Sequence, residues 1–161
     1  MLASAVMFWQ IILAIHILVV VASFGLLVAY PVITAAAERL DRSVTPLLHR
    51  VRVIAARSLV NPGLLVVLAA GIYLAADLHQ FKEFYVQWGI AAVVVLGGLE
   101  GGYMVRASKH LAELAQRDID ASAGGQVQWS EEYVARRSRY DQVAALMAII
   151  VLVTTFMMAA H

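Results

Sequence analysis

The 161-residue sequence predicts an all-α protein: a polytopic membrane four-helix bundle, up-down-up-down, with helices extended into the cytoplasm. Three observations carry this. Charged residues make up 14% of the chain and apolar residues 62%, against the ~25% charged share of a soluble domain. Four apolar segments, at 8–37, 58–76, 85–105 and 140–160, each reach the ~20 residues that cross hydrocarbon as a helix. Of twelve Lys and Arg, Lys82 alone falls in the second connection; the rest flank or fill the first and third. The positive-inside rule then puts connections 38–57 and 106–139 in the cytoplasm. Both termini are then expected outside.

The first apolar segment has no Lys or Arg before it and outruns the core of a signal peptide, so it reads as a retained span. After it comes "SVTPLLHRVRVIAARSLV", where Thr45 is a candidate N-cap and Pro46 the first helical residue. Leu48, Val51, Ile54 and Ala55 recur at helical spacing, so this helix runs into the second span. Asn61-Pro62 predicts a kink, because Pro removes a backbone donor. The third span is expected to continue to about Asp120, with a turn at "ASAGGQVQ". Ser130 then caps a helix whose first turn carries Glu131 and Glu132, favourable against the helix dipole. That helix runs through Arg139 into the fourth span. No repeat or internal boundary interrupts residues 1–161, which read as one domain.

Polar residues inside the spans are few and periodic. His16, Ser23 and Tyr30 lie seven apart on the first span, as do Tyr140, Met147, Thr154 and His161 on the fourth. Such stripes face a bundle interior. By depth they form two layers. His16 belongs to an outer layer with Tyr73, Asp77, Gln87, Trp88, Thr154, Thr155 and His161; Glu100 lies deeper, near Tyr30, Arg57, Asn61 and Tyr103. A carboxylate in hydrocarbon costs at least ~2.5 kcal/mol, and Arg57 with Asn61, one turn apart, are expected to meet it. The pair is either a latch between helices or a carboxylate that carries a proton or ligand. Around it, "VVVLGGLEGGYMV" holds two overlapping GxxxG pairs, Gly97/Gly101 and Gly98/Gly102. These suit close helix or subunit packing, or clearance for a flat porphyrin.

The chain has no Cys, which excludes disulfides, thiolate metal sites and thiol nucleophiles. A net charge of +1 offers no basic patch for nucleic acid. Phosphate loops, nucleophile triads and dinucleotide fingerprints are absent. His16 is the sharpest ligand candidate, since neutral imidazole binds metals and haem iron. His49 and His110 are expected to be solvated on the cytoplasmic extensions, and His79 lies in the outer loop. Met157, Met158 and His161 form a soft cluster that suits copper.

"LAIHILVVVASFG" resembles the hydrophobic–His–hydrophobic–Gly opening of small bacterial membrane proteins, and "NPGLLVVLAAGIYLA" resembles their second helix. These are the DUF2269-like integral membrane proteins, similar in turn to the CopD copper-resistance domain and the HemJ-type protoporphyrinogen oxidases. The resemblance implies a haem- or copper-associated bundle, with the first-helix histidine carried onto His16. The HemJ pattern has a Lys and a His after the third-helix tryptophan, whereas here Trp88 leads to Ala91, Ala92 and Glu100. The first functional expectation is therefore a haem-b-binding protein with a redox or haem-handling role. His16 would be an axial ligand, Gly97, Gly98 and Gly101 would clear the ring, and Tyr30, Arg57 and Glu100 would meet its polar groups. His161, Met147 and Met104 compete as second ligand. The alternative is a non-catalytic oligomeric scaffold or accessory subunit; copper or small-ion permeation gated by Glu100 is a third. The expected partners are the lipid bilayer and either a second copy or a membrane subunit.

Overall fold

Helix bonding satisfies every interior backbone group of an apolar run without outside partners, and the computed structural model is helical throughout. It describes residues 7–160 except 124. Helix α1 spans Phe8–Leu40, α2 Thr45–Ala55, α3 Asn61–Asp77, α4 Phe84–Gly98, α5 Val105–Ala121 and α6 Glu131–Ala159. A π segment at Ala56–Val60 joins α2 to α3, and another at Leu99–Met104 joins α4 to α5. The described residues thus form four rods, each long and apolar enough to cross a membrane, and they include no strand.

The local signals have identifiable outcomes. Ser130 caps α6, accepting from Tyr133 N at 3.3 Å, and Glu131 and Glu132 occupy the first turn. The turn after α5 begins at Ser122, with Ala123 in the left-handed region at φ 49°. Thr45 does not cap α2. Asp41 takes that work one turn earlier, accepting from Ser43 N at 2.8 Å to start a 3-10 turn over Arg42–Val44, so Thr45 is already helical. Pro46 keeps its place in the first turn, where no donor is needed. The expected Asn61-Pro62 irregularity takes the form of the π segment ending at Val60. Pro62 cannot donate to the carbonyl one turn back and its ring crowds it, and a wider turn relieves both.

Helix α1 packs on α3, α2 on α5, and α4 on α6. One buried cluster joins the rods through Phe24, Leu27, Leu64, Leu96, Leu111, Tyr133, Met147 and Val151. A close approach lies between α1 and α3. A Cβ on Gly63 would overlap Ser23 Oγ and sit 3.2 Å from Ser23 Cβ and 3.3 Å from Val19 Cγ1. Helix α2 turns the opposite face inward from the one its apolar spacing suggests. Thr45, His49 and Arg52 are at most 3% exposed, while Leu47, Val51 and Ile54 are 46–63% exposed.

Candidate functional site: a buried polar layer

Glu100 stands in the π segment of the third rod and is fully buried. Its partner is Arg52, not Arg57. Arg52 Nη1 lies 2.5 Å from Oε1, and Nη2 donates to Oε2 at 2.6 Å, a fork-to-fork pair closed off from solvent on both sides. Arg57 is exposed. Two features explain the difference. The π segment at Ala56–Val60 inserts an extra residue and turns Arg57 outward. The buried face of α2 carries Arg52 beneath Glu100, and a long arginine stem covers the remaining depth. Asn61 lies beside Gly101, its Nδ2 3.6 Å from where a Cβ would be, and does not bond Glu100.

Tyrosines enclose the pair. The Tyr30 ring faces the Arg52 guanidinium at 5.3 Å, and its hydroxyl donates to the Leu48 carbonyl. Tyr140 accepts a long 3.4 Å bond from Ser108 on α5. Arg52, Tyr30, Met104, Tyr140 and Met147 share a cavity of about 10 Å³, room for one water at most. The seven-residue stripes of the first and fourth rods therefore meet at Tyr30, Tyr140 and Met147. With Arg52 and Glu100 they tie all four rods at one level.

Below this layer His49 is 1% exposed rather than solvated. Tyr133 and Tyr140 of α6 flank it edge-on with ring centroids 6.4 and 6.1 Å away, and Tyr133 Oη lies 3.4 Å from Nε2. Arg137 donates to Tyr133 Oη at 3.3 Å and to Glu38 Oε1 at 2.7 Å, joining α6 to the end of α1. His110 remains partly exposed beside Glu113 and Glu132. Sequence reasoning missed Glu38, His49, Arg52 and Arg137. For His49 and Arg52 the signal was the helical spacing of Thr45, His49 and Arg52, a polar stripe that is the inward one; Glu38 and Arg137 stand on α1 and α6 and had no such signal.

The other candidate residues lie elsewhere. His16 is half-buried against α3, its Cε1 3.4 Å from a Cβ placed on Gly71 and its Nδ1 buried without a hydrogen-bond partner. It stands fourteen residues from Tyr30 on the same helix, about 21 Å along the axis. The outer layer is joined instead by Trp88, whose Nε1 donates to Thr154 Oγ1 at 3.1 Å. Gly97, Gly98 and Gly102 would place a Cβ in open space, and Gly98, Gly101 and Gly102 are exposed. They clear room for nothing within the chain. The residues chosen for a porphyrin thus do not line one ring: His16 lies about four turns along α1 from Tyr30, Glu100 is paired with Arg52, and Arg57 faces out. The described residues bring together no group of three His, Cys, Asp or Glu that could hold a metal. Of the copper cluster, Met157 and Met158 end α6, and His161 lies outside the described residues.

Comparison of the chain with family models, curated proteins and solved structures gives no match.

Proposed function

We propose that the chain is an integral protein of the bacterial cytoplasmic membrane, an up-down-up-down bundle with both termini outside, and that it is a non-catalytic assembly subunit whose third rod seats a second copy. The carrying observation is the open row of Gly98, Gly101 and Gly102, which meets no backbone of its own bundle. Each glycine costs a helix roughly 1 kcal/mol relative to Ala, and small residues at this spacing let a second backbone approach in lipid. The membrane setting is supported by the outward faces: Leu18, Val32, Leu65 and Phe156 are each about 70% exposed, beyond what a water-facing surface carries. The outward Leu47, Val51 and Ile54 of α2 fit the inner leaflet. The Arg52–Glu100 pair is then a joint between rods.

The test is the molar mass of the detergent-purified chain by light scattering. Wild type is expected as a dimer or larger, Gly98→Leu and Gly102→Leu as monomers, and His16→Ala as wild type. A wild-type monomer at every concentration overturns the reading. One observation favours a second reading, haem b with a redox or haem-handling role: the buried, unpartnered Nδ1 of His16. Its test is the absorption spectrum of protein from haem-supplemented cells. A Soret band lost in His16→Ala would replace the assembly reading.

A further inference from the structure

We infer that the groove between the end of α1 and the start of α6 binds the zwitterionic amine–phosphate headgroup of a membrane lipid. The inference rests on the membrane reading above. The groove has a volume of about 610 Å³ and is lined by Glu38, Trp129, Tyr133, Arg137, Asp141 and Ala145, among others. Its position along the chain is telling. Glu38 directly follows the apolar run 8–37, and Asp141 is the second residue of the run 140–160. The floor reaches Ala145, five residues or about 8 Å into that run. The groove therefore starts where headgroups lie and ends where acyl chains begin.

Its chemistry carries both signs. Arg137 Nε donates to the two Asp141 oxygens at 2.9 and 3.1 Å, and Nη1 donates to Glu38 Oε1 and Tyr133 Oη. Among the described residues Nη2 has no acceptor and Glu38 Oε2 no donor. One open donor beside one open acceptor matches a phosphate joined by two carbons to an ammonium. Two carboxylates against one guanidinium leave a net charge of −1, which favours the ammonium end. Trp129, stacked on Tyr133 at 4.5 Å between centroids, forms the wall; such rings suit both the interface and a neighbouring cation. A primary ammonium can donate to Glu38 Oε2 and a quaternary one cannot. The expected order is phosphatidylethanolamine, then phosphatidylcholine, then phosphatidylglycerol.

The experiment is native mass spectrometry of the full chain in detergent with an equimolar mixture of those three lipids, identical in acyl chains. Phosphatidylethanolamine adducts are expected to exceed phosphatidylglycerol adducts at least fivefold. Glu38→Gln and Asp141→Asn, each checked by circular dichroism, should each bring the ratio near one. Equal adducts on wild type, a phosphatidylglycerol preference, or a ratio unchanged in both variants overturns the proposal. Displacement of the lipid by an equal concentration of free phosphoethanolamine overturns the lipid source, as does a protein that binds the groove in the lipid's place. An alkaline carbonate wash separates the two failures. A chain extracted by the wash fails the membrane reading; a chain retained without lipid preference fails this proposal alone.

Discussion

Arg52 and Glu100 face each other where neither reaches solvent, so each is tolerable only because the other is there. Removing one partner of a buried pair costs about 3–5 kcal/mol, whereas replacing both by apolar residues of similar size is often neutral or better. Arg52→Met and Glu100→Leu alone are therefore expected to lower the unfolding midpoint in detergent sharply, and the double substitution to recover most of it. Arg57→Met, at an exposed position, should leave it unchanged. A second residue-scale prediction concerns Asp118. Burial works to raise its carboxyl, but two 2.8 Å bonds from Ser130 and the adjacent Arg117 outweigh it and hold it below the ordinary 3.8. As the pH falls past that ordinary value the unfolded chain takes the proton first, so the stability Asp118 lends above it is lost as pH falls through the lower folded value. Melting curves from pH 6 to pH 3 should show this loss, and Asp118→Asn should flatten it while melting lower at pH 6. That Glu100 needs a cation was legible in the sequence. Which arginine supplies it was not, because linear depth favoured Arg57 and ignored both stem length and helix register.

At the scale of the helix the start of α6 was legible, since Ser130 and the glutamates after it act within one turn; the start of α2 was not, because Asp41 begins the turn ahead of Thr45. The π segments were not. An inserted residue changes the register of everything beyond it without altering composition, and only Pro62 hinted at one of the two. The inward face of α2 was misread for a different reason. In water an amphipathic helix buries its apolar side, while here Leu47, Val51 and Ile54 face out. Glycine was misplaced too. In the conspicuous row at 97–102 only a Cβ on Gly101 would meet another side chain, that of Asn61, whereas one on Gly63 would overlap Ser23 and crowd Val19. Gly63→Ala must push α1 and α3 apart or force Ser23 to rotate, an overpacking cost of about 1–3 kcal/mol. Ser23→Gly in the same chain is expected to restore much of the midpoint; no recovery would place the cost elsewhere.

For the whole molecule, the count of four rods followed from length and hydropathy alone, because a 20-residue apolar run has few other fates. The layer that binds them had to be seen in three dimensions, since Tyr30, Arg52, Glu100 and Tyr140 come from four separate rods. The proposed topology makes its own prediction. Reporter fusions at both termini and after Asp77 should be active outside the cytoplasm, and those after Arg42 and Gly125 inside; termini on opposite sides of the membrane would break it. The ion pair also has a history in time. Arg52 leaves the ribosome 48 residues before Glu100. On this topology it can wait with its head among the cytoplasmic headgroups and its stem in the apolar layer. A carboxylate arriving first would have stood alone in hydrocarbon. On the proposed topology the order of residues along the chain is also an order of insertion: the charge that can wait at the surface is made first, and the one that cannot enters to find its partner in place.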